Sequence, residues 1–364
     1  MKIRDIVFLG LITLGSVAQA DSEVLRAEAQ DDRLGARVRV REILAGKFEP
    51  QTWKWLEARV REHPEWGEDL YPVILEKAVA GKEWLELTPT QRELDRADEA
   101  MAARDYTEAA RRYRVALSDR SELPRVTAQY ARLSLARALY ASKKFDEALQ
   151  ESRKIPPQFS RYRHVLFLRM WSAFRSGRVE MALGEIASQR SGYFGPYMEP
   201  ESYILLIYLL KRLCREAEGK EVIAQVEQFL SELRSGAFDL KSWAKFEVST
   251  LNYARILERP DPEGLDPKQR EARERERSWV SRLLEKAFAR KKKQWLEELP
   301  RVIAYSKLAI TPGIASGLKP IEKIKSREKL LSQGYEIWPI SGEEHWLDEL
   351  GSHRYLGDSE CGRN

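Results

Sequence analysis

The sequence predicts an all-α fold whose central part is an α-solenoid of helical hairpins. The first observation behind this prediction is a short turn followed by an alanine, which occurs three times. The alanines Ala109, Ala148 and Ala182 are 39 and 34 residues apart, and hairpins repeating at about this period are typical of stacked helical arrays. The second observation is composition: charged residues are 33% and apolar residues 43% of the chain, as expected for helices with wide polar faces.

Small and aromatic residues occupy matching places in the first two hairpins. In the first, residues 97–117, Ala97 and Ala109 allow two helices to approach closely, and Tyr106 fills the space between them. Pro124 closes this hairpin, since proline does not continue a helix. In the second hairpin, residues 135–157, the same roles fall to Ala136, Ala148 and Phe145.

Two further hairpins follow. The third, residues 169–186, has Gly177 at its turn, where a left-handed backbone is favourable for glycine. The fourth, residues 203–233, has the helical period but lacks a clear small-residue signature. The sequence therefore leaves open whether the fourth hairpin is a true repeat.

The first hairpin carries the pattern D-Y-x-E-A-x-x-x-Y-x-x-A-L, formed by Asp105, Tyr106, Glu108, Ala109, Tyr113, Ala116 and Leu117. This pattern resembles the tetratricopeptide-repeat (TPR) family over about residues 90–233, and it implies a TPR-like solenoid within residues 90–257. The later hairpins depart from the pattern: Ser152 and Ile155 replace an aromatic residue and an alanine, and Met170 replaces a small residue. A solenoid of other helical hairpins is the alternative.

The resemblance also implies a binding groove. In TPR proteins the first helix of each hairpin lines a concave groove that receives a peptide. Aromatic residues beside arginines dominate interface hot spots, and guanidinium groups pair well with carboxylates. In the alternative interpretation, the phenylalanines pack between helices and the arginines are only solvated. The groove residues implied here are Asp98, Met101, Tyr130, Leu133, Arg137, Tyr140, His164, Phe167, Trp171, Phe174 and Arg175.

The first 20 residues have the three parts of a secretory signal. Lys2 and Arg4 form a basic start, residues 6–14 an apolar middle, and residues 18–20 a small-x-small end. We expect cleavage after Ala20 and a periplasmic or secreted mature protein. The alternative is a buried N-terminal helix.

The parts of the chain that flank the solenoid are expected to be helical as well. Residues 21–89 predict an irregular helical start in which Trp53, Trp55 and Trp66 form core rather than a ligand platform. Three prolines in residues 258–267 predict a linker. Residues 268–331 predict a C-terminal helical region whose long helix ends at Pro300, and residues 332–364 an irregular aromatic tail that caps the array.

The long helix concentrates positive charge. Residues 270–293 contain ten Lys or Arg and four Asp or Glu, while the whole chain has a net charge of only +5. The run Arg290, Lys291, Lys292 and Lys293 predicts a weak contact with an anionic membrane surface or an acidic partner. The alternative is a docked helix with a solvated basic face, and the alternating charges of residues 270–277 favour an exposed, ion-paired surface. The small net charge gives no reason to expect nucleic-acid binding.

The two cysteines, Cys214 and Cys361, are candidates for a disulfide, because an exported protein folds in an oxidising compartment. The alternative is a buried free Cys214 and an unpaired tail. The potential ligands of the tail match no compact zinc pattern, so no metal site is expected. They are Cys361, His345, His353, Glu343 and Asp348.

Common catalytic motifs are absent from the sequence. There is no Gly-x-Ser-x-Gly, no phosphate-binding glycine loop and no His-Glu-x-x-His. Lytic transglycosylases share a helical superstructure, but Glu201–Ser202 and the Gly-Leu-Lys-Pro of residues 317–320 do not match their catalytic pattern. We therefore expect no catalytic residue and no cofactor.

These observations predict a non-catalytic scaffold in a bacterial cell-envelope (periplasmic) assembly. Its partner would be a peptide or protein bound in the concave groove of the TPR-like repeats. The alternative is a peptidoglycan-active enzyme, or its regulator, built on a helical solenoid. The oligomeric state and the identity of the partner do not follow from the sequence.

Overall fold

A computed structural model describes residues 24, 27, 32–45, 55–56, 70, 89–118, 123, 125–159, 161–195, 197–245, 257–258, 260–311, 319–321, 327–334, 350–357 and 359–361. The all-α prediction is confirmed for these residues, which contain no strand. The expected signal sequence, Trp53 and Trp66 lie outside them. The helices are α1 (Arg33–Ala45), α2 (Pro89–Ala102), α3 (Tyr106–Ser118), α4 (Arg125–Ala141), α5 (Phe145–Ser152), α6 (Tyr162–Arg175), α7 (Val179–Gln189), α8 (Pro200–Arg212), α9 (Glu216–Ser235), α10 (Leu240–Ala244), α11 (Pro267–Ile310) and α12 (Arg327–Ser332).

The chain divides into two compact units. The first unit is drawn from residues 1–88 and 248–286, and the second from residues 89–247 and 287–364. In the first unit, α11 begins with a capping box: the N–H of Gln269 donates to Oδ1 of Asp266 at 2.8 Å, and the N–H of Asp266 donates to Oε1 of Gln269 at 3.0 Å. Pro267 follows as the first helical residue, where its missing N–H costs nothing.

Buried ion pairs join α1 to the beginning of α11 within the first unit. Arg37 is fully buried and its Nε lies 2.8 Å from Oε1 of Glu276. Arg273 donates to both carboxylate oxygens of Asp32, at 2.6 and 2.7 Å. The expected ion pairs of residues 270–277 are present but only partly exposed: Arg275 and Glu271 form an exposed pair, whereas Arg273 and Glu276 are buried. The buried pairs could not be predicted from the sequence, because the two residues of each pair lie far apart in the chain.

In the second unit, four turns of one geometry join the helices in pairs. Each turn has three residues, and its middle residue has a left-handed backbone. The N–H of the next residue donates to the carbonyl five positions earlier, as Asp105 donates to Ala100 at 2.9 Å. This hydrogen bonding is the Schellman pattern, so α2/α3, α4/α5, α6/α7 and α8/α9 are helical hairpins. The left-handed residues are Arg104 (φ 61°), Lys143 (φ 63°), Gly177 (φ 74°) and Cys214 (φ 59°).

A small buried residue lies five positions after each left-handed residue. Ala109, Ala148 and Ala182 hold this place in the first three hairpins, and all three are fully buried. Gly219 holds it in the fourth hairpin and is also buried. In the fourth hairpin the position of the small residue is therefore held by a glycine and not by an alanine. Gly219 follows Ala182 by 37 residues.

Each hairpin also packs on the next one, because consecutive helices from α2 to α9 contact each other and α4 contacts α6. At the end of this series, aromatic side chains form part of a core cluster. Tyr197 stacks on Phe229 with ring centroids 5.5 Å apart, and both rings meet the fully buried Trp295 of α11. Phe238 packs edge-on against Tyr197 and Phe229. This cluster fixes the second half of α11 against the fourth hairpin.

Helix α11 continues through Pro300 to Ile310, so the predicted helix end at Pro300 is wrong. A proline inside a helix costs about 3 kcal/mol, because it removes one hydrogen bond and crowds the preceding turn. The continuation is stabilised by burial of Leu299, Val302 and Ile310 in the same core cluster. Tertiary packing here outweighs the local tendency of proline to end a helix.

The C-terminal segment, residues 350–361, contains no helix or strand at its described positions and lies on the third and fourth hairpins. Tyr162 Oη donates to the carbonyl of Leu350 at 3.1 Å. The N–H of Gly351 donates to Oγ of Ser188 at 2.8 Å. The N–H of Tyr355 donates to the carbonyl of Glu180 at 3.0 Å. Beyond these contacts, the Sγ atoms of Cys361 and Cys214 form a disulfide of 2.05 Å.

A buried ion pair lies beneath this segment. Arg169 Nη2 donates to Oε1 of Glu185 at 2.7 Å, and its Nε donates to the same oxygen at 3.0 Å. Arg169 also donates to the carbonyl of Gly351. Burial raises the pKa of Glu185, against the effect of the nearby arginines. The C-terminal segment therefore supplies part of the polar environment that a buried guanidinium requires.

Candidate functional site

The predicted groove residues share one register on the first helices of the hairpins. Positions six residues before the left-handed residue of each turn are Asp98, Arg137, Trp171 and Tyr208. Positions three residues before it are Met101, Tyr140, Phe174 and Lys211. Positions separated by three or four residues lie on one side of a helix. With Tyr130, His164, Phe167, Arg175 and Arg161, which directly precedes α6, they form what we call the first-helix face.

This face is accessible along its length. Its members are exposed or half-buried, whereas Leu133, which the same register places among them, is buried. Phe167 and Phe174 are half-buried and pack against the edge of the core cluster. These two rings therefore serve the packing between helices and also keep a surface open to solvent.

The centre of the first-helix face is a row of three aromatic rings. Trp171 meets Phe174 edge-on with ring centroids 5.8 Å apart, and Phe174 meets Tyr208 edge-on at 5.7 Å. The guanidinium carbon of Arg212 lies 5.7 Å from the centre of the Tyr208 ring. Tyr208 was absent from the predicted groove, although its place six residues before a turn residue is visible in the sequence. The row joins α6 to α8 and so extends across two hairpins.

Two further aromatic contacts lie toward the second hairpin. Tyr140 meets Phe145 edge-on at 5.3 Å, and the guanidinium of Arg175 lies 5.0 Å over the Phe145 ring. The second contact has the same form: Arg161 lies 5.4 Å over the ring of Tyr130, which packs on Phe159. Each arginine thus lies over an aromatic ring and is exposed to solvent.

The arginines of this face lack acidic partners. Among the described residues, no carboxylate lies within ion-pair distance of Arg137, Arg161 or Arg175, and all three are exposed. Loss of hydration and the neighbouring Arg161 lower the pKa of Arg137. The arginines of α3 behave differently: Arg111 and Arg112 pair with Glu108, and Arg114 pairs with Glu147. Unbalanced positive charge is therefore a property of the first-helix face and not of every exposed helix in this unit.

His164 lies close to two of these arginines. Loss of hydration lowers its pKa to about 4; the charge of Glu199 opposes this shift, while Arg137 and Arg161 add to it. Glu199 is itself bound by Lys291 at 2.8 Å. At neutral pH the imidazole is therefore uncharged and able both to donate and to accept a hydrogen bond.

The first hairpin contributes less to the face. Asp98 accepts a hydrogen bond from the hydroxyl of Tyr113, and burial raises the pKa of that phenol. Met101 is half-buried against the alanine-rich core of this hairpin. These two residues therefore take part in local packing, and the aromatic and basic groups concentrate on α4, α6 and α8.

The basic run of α11 does not form one continuous surface. Lys291 binds Glu199 and lies 5.3 Å over the Trp295 ring. Lys293 is exposed and lies 4.0 Å from Glu297 in the next turn. Arg290 is exposed and Lys292 half-buried. The interpretation as a docked helix with a partly solvated basic side agrees with these positions.

Acidic residues that could act in catalysis or metal binding are dispersed. The described residues contain no group of three or more His, Cys, Asp or Glu side chains placed to hold a metal ion. Glu185 has a raised pKa, but it is fully buried and bound to Arg169. His345, Glu343 and Asp348 lie outside the described residues.

Comparisons with known proteins give no match. Family models, curated proteins and solved structures were all compared with the chain, and none is similar to it. In the described part of the chain, no helix has both the length and the apolar character needed to span a membrane. The functional conclusion therefore depends on the first-helix face itself.

Proposed function

We propose that the protein is a non-catalytic binding scaffold, a TPR-like solenoid that holds a peptide or protein segment on its first-helix face. The observation that carries this proposal is the combination, on one accessible face, of a row of aromatic rings and three arginines that have no acidic partner among the described residues. The exposed arginines of α3, by contrast, pair with carboxylates.

The TPR-like character of the solenoid is supported by the four equivalent turns and the small residue that follows each of them. Because the hairpins share one geometry, equivalent positions on successive first helices line up across the array. An extended partner can then touch several hairpins at once, and each hairpin contributes one or two side chains.

Binding on this face would combine two contributions. Apolar side chains of the partner would cover Trp171, Phe174 and Tyr208, and aromatic anchors of this kind dominate the energy of most interfaces. Guanidinium groups held over rings lose little freedom when they bind a carboxylate, because their positions are already restricted. The remaining contacts would mainly exclude water.

We place the scaffold in the bacterial periplasm, or in another exported location, because residues 1–20 have the order of a secretory signal. The disulfide between Cys214 and Cys361 is compatible with an oxidising compartment. A cell-envelope assembly is the setting in which an exported scaffold of this kind would act. This assignment is tested by localising the full chain in cell fractions.

The experiment that tests the binding role is a crosslinking pull-down from the native envelope fraction. The wild-type protein is compared with the triple variant Arg137→Ala/Trp171→Ala/Arg175→Ala. Loss of the same crosslinked bands in the variant is the expected result. Bands that persist would place the contact elsewhere.

A matched control is available on α3. The triple variant Arg111→Ala/Arg114→Ala/Val115→Ala also removes two exposed arginines and one exposed apolar side chain. We expect it to retain the bands. If both triple variants lose them equally, the effect comes from general charge or stability, and the first-helix face has no special role.

A further inference from the structure

We infer that the segment bound by the first-helix face has two chemical parts, a carboxylate cluster that binds Arg137 and Arg161 and an aromatic or aliphatic anchor that packs on Trp171, Phe174 and Tyr208. This inference rests on the proposed function and specifies the partner. It follows from where the basic groups and the rings lie along the face. Arg161 and His164 lie at the N-terminal end of α6, whereas the row of rings lies toward its C-terminal end, where Arg175 is the last residue of the helix.

The basic part of the face is selective for negative charge. Arg137 lies on α4 and Arg161 directly precedes α6, and the charge of Arg161 lowers the pKa of Arg137 in addition to the larger effect of burial. Neither has a carboxylate partner among the described residues. A bound carboxylate would relieve this repulsion and form charge-assisted hydrogen bonds, while a lysine or arginine of a partner would increase it.

His164 contributes to this selectivity without adding positive charge. Arg137, Arg161, Glu199 and Lys291 all lie near enough for their charges to affect the pKa of His164. Its neutral ring can donate a hydrogen bond to a carboxylate oxygen or to a backbone carbonyl. A carboxylate placed here would also stabilise the protonated ring, so binding would raise the pKa of His164.

The aromatic part of the face requires an apolar partner. Trp171, Phe174 and Tyr208 present edge-to-face rings that are partly exposed. Ile204, which is 36% exposed, lies one turn before Tyr208 on α8. Burying this surface under an aromatic or aliphatic side chain removes apolar area from water.

The helix geometry sets the distance between the two parts of the ligand. His164 and Trp171 are seven residues apart on α6, which corresponds to about 10 Å along the helix at about 1.5 Å per residue. From His164 to Phe174 the distance is about 15 Å by the same rise. An extended peptide spans about 3.3 Å per residue, so the carboxylates and the anchor should be separated by about three to five residues.

A nucleic acid fits this face less well than an acidic peptide. Its phosphates would follow the whole length of the surface, where Glu201 and Asp98 are exposed. Glu201 lies near enough to Tyr140 for its charge to raise the pKa of that phenol, in addition to the larger effect of burial. A ligand with charge at one end only avoids these carboxylates.

The test is a selection of phage-displayed random dodecapeptides on the full disulfide-bonded chain, with counter-selection on the variant Arg137→Gln/Arg161→Gln/Trp171→Ala. All three residues keep some exposure to solvent, and the variant is used only after its melting temperature matches that of the wild type. We expect enriched peptides that carry two or more Asp or Glu about three to five residues from an aromatic or aliphatic anchor.

The other outcomes are decisive as well. Enriched peptides that are neutral or basic, and that still lose binding in the variant, would overturn this inference and leave the proposed function standing. If no peptide binds the wild type more strongly than the variant, both this inference and the proposed function are overturned. Competition between a single-stranded oligonucleotide and the peptides at physiological salt would also overturn the inference of an acidic peptide, and it would favour a polyanion ligand.

A double-mutant cycle then assigns the carboxylates. For an enriched peptide, changing its acidic residues to Gln should weaken binding to the wild type at least tenfold, measured by fluorescence polarisation. The same change should have less than a twofold effect on the Arg137→Gln/Arg161→Gln variant, because the interaction is already lost there. Equal losses in both proteins would show that the carboxylates bind elsewhere.

Discussion

The carbonyl oxygen of His353 occupies the space that a Cβ atom on Gly184 would need. The backbone nitrogen of Arg354 would lie only 3.1 Å from the same Cβ. Gly184 is on α7 and His353 is on the C-terminal segment, so the absence of a side chain at this position lets the segment lie directly on the helix. Backbone atoms make this contact, and they cannot move aside as the end of a flexible side chain could.

Gly184→Ala should therefore loosen the C-terminal segment. The methyl group must displace the backbone near His353, and the hydrogen bond from Tyr355 to Glu180 lies close by. We expect faster hydrogen exchange in residues 350–357 and a lower melting temperature. Gly192→Ala is the control, since Gly192 is exposed and has no left-handed φ. Equal protection of the segment in Gly184→Ala and in the wild type would contradict this contact.

The disulfide should contribute strongly to stability, because it closes a loop between residues 147 positions apart. The chain-entropy treatment gives about 5 kcal/mol for a loop of this length, as an upper value. Cys214→Ser/Cys361→Ser should lower the free energy of unfolding by about 2–5 kcal/mol in urea. A change below about 0.5 kcal/mol would mean that the hydrogen bonds of the segment hold it without the bond.

The turns predict opposite effects of two substitutions. Gly177 has φ 74° with no atom near its would-be Cβ, so Gly177→Ala should cost about 1 kcal/mol through backbone conformation alone. Lys143 holds the equivalent place with φ 63°, so Lys143→Gly should stabilise by about 0.5–1 kcal/mol. Urea unfolding measures both. Changes of the same sign would show that the two turns are not equivalent.

The lowered pKa of His164 predicts that the stability of the folded chain depends on pH. The histidine's folded pKa of about 4 is below the reference value of 6.5, so below about pH 6.5 the unfolded chain takes up a proton that the folded chain does not. Stability is then lost as the pH falls from 6.5 to 4, and this loss should be smaller in His164→Gln. An NMR titration of the ring protons should give a midpoint well below 6; a midpoint near 6.5 would contradict the desolvation of His164.

The sequence predicted the parts of the fold that depend on local spacing. The alanines of three hairpins and Gly177 are visible as a period, because the turn and the packed small residue lie within five positions of each other. Gly219 does not fit the alanine pattern of the other three hairpins, although glycine allows an equally close approach of helices. Tyr208 was missed although it has the same register as Trp171.

Other features could not be predicted because they depend on residues far apart in the chain. Arg37 and Glu276 are 239 positions apart, and no local pattern indicates that either is buried. The continuation of α11 past Pro300 likewise depends on apolar burial against the fourth hairpin. The groove residues were implied by a resemblance, and only the structure shows that Arg137 and Arg175 have no acidic partner among the described residues.

Site-specific photocrosslinking tests the binding role of the first-helix face most directly. Benzoylphenylalanine is placed at Tyr130, Phe167 or Ile204 on the first helices, and at three exposed second-helix positions, Val115, Gln150 and Lys220. Irradiated cells should give partner adducts from the first set and none from the second. Adducts from the second-helix positions alone would contradict the account.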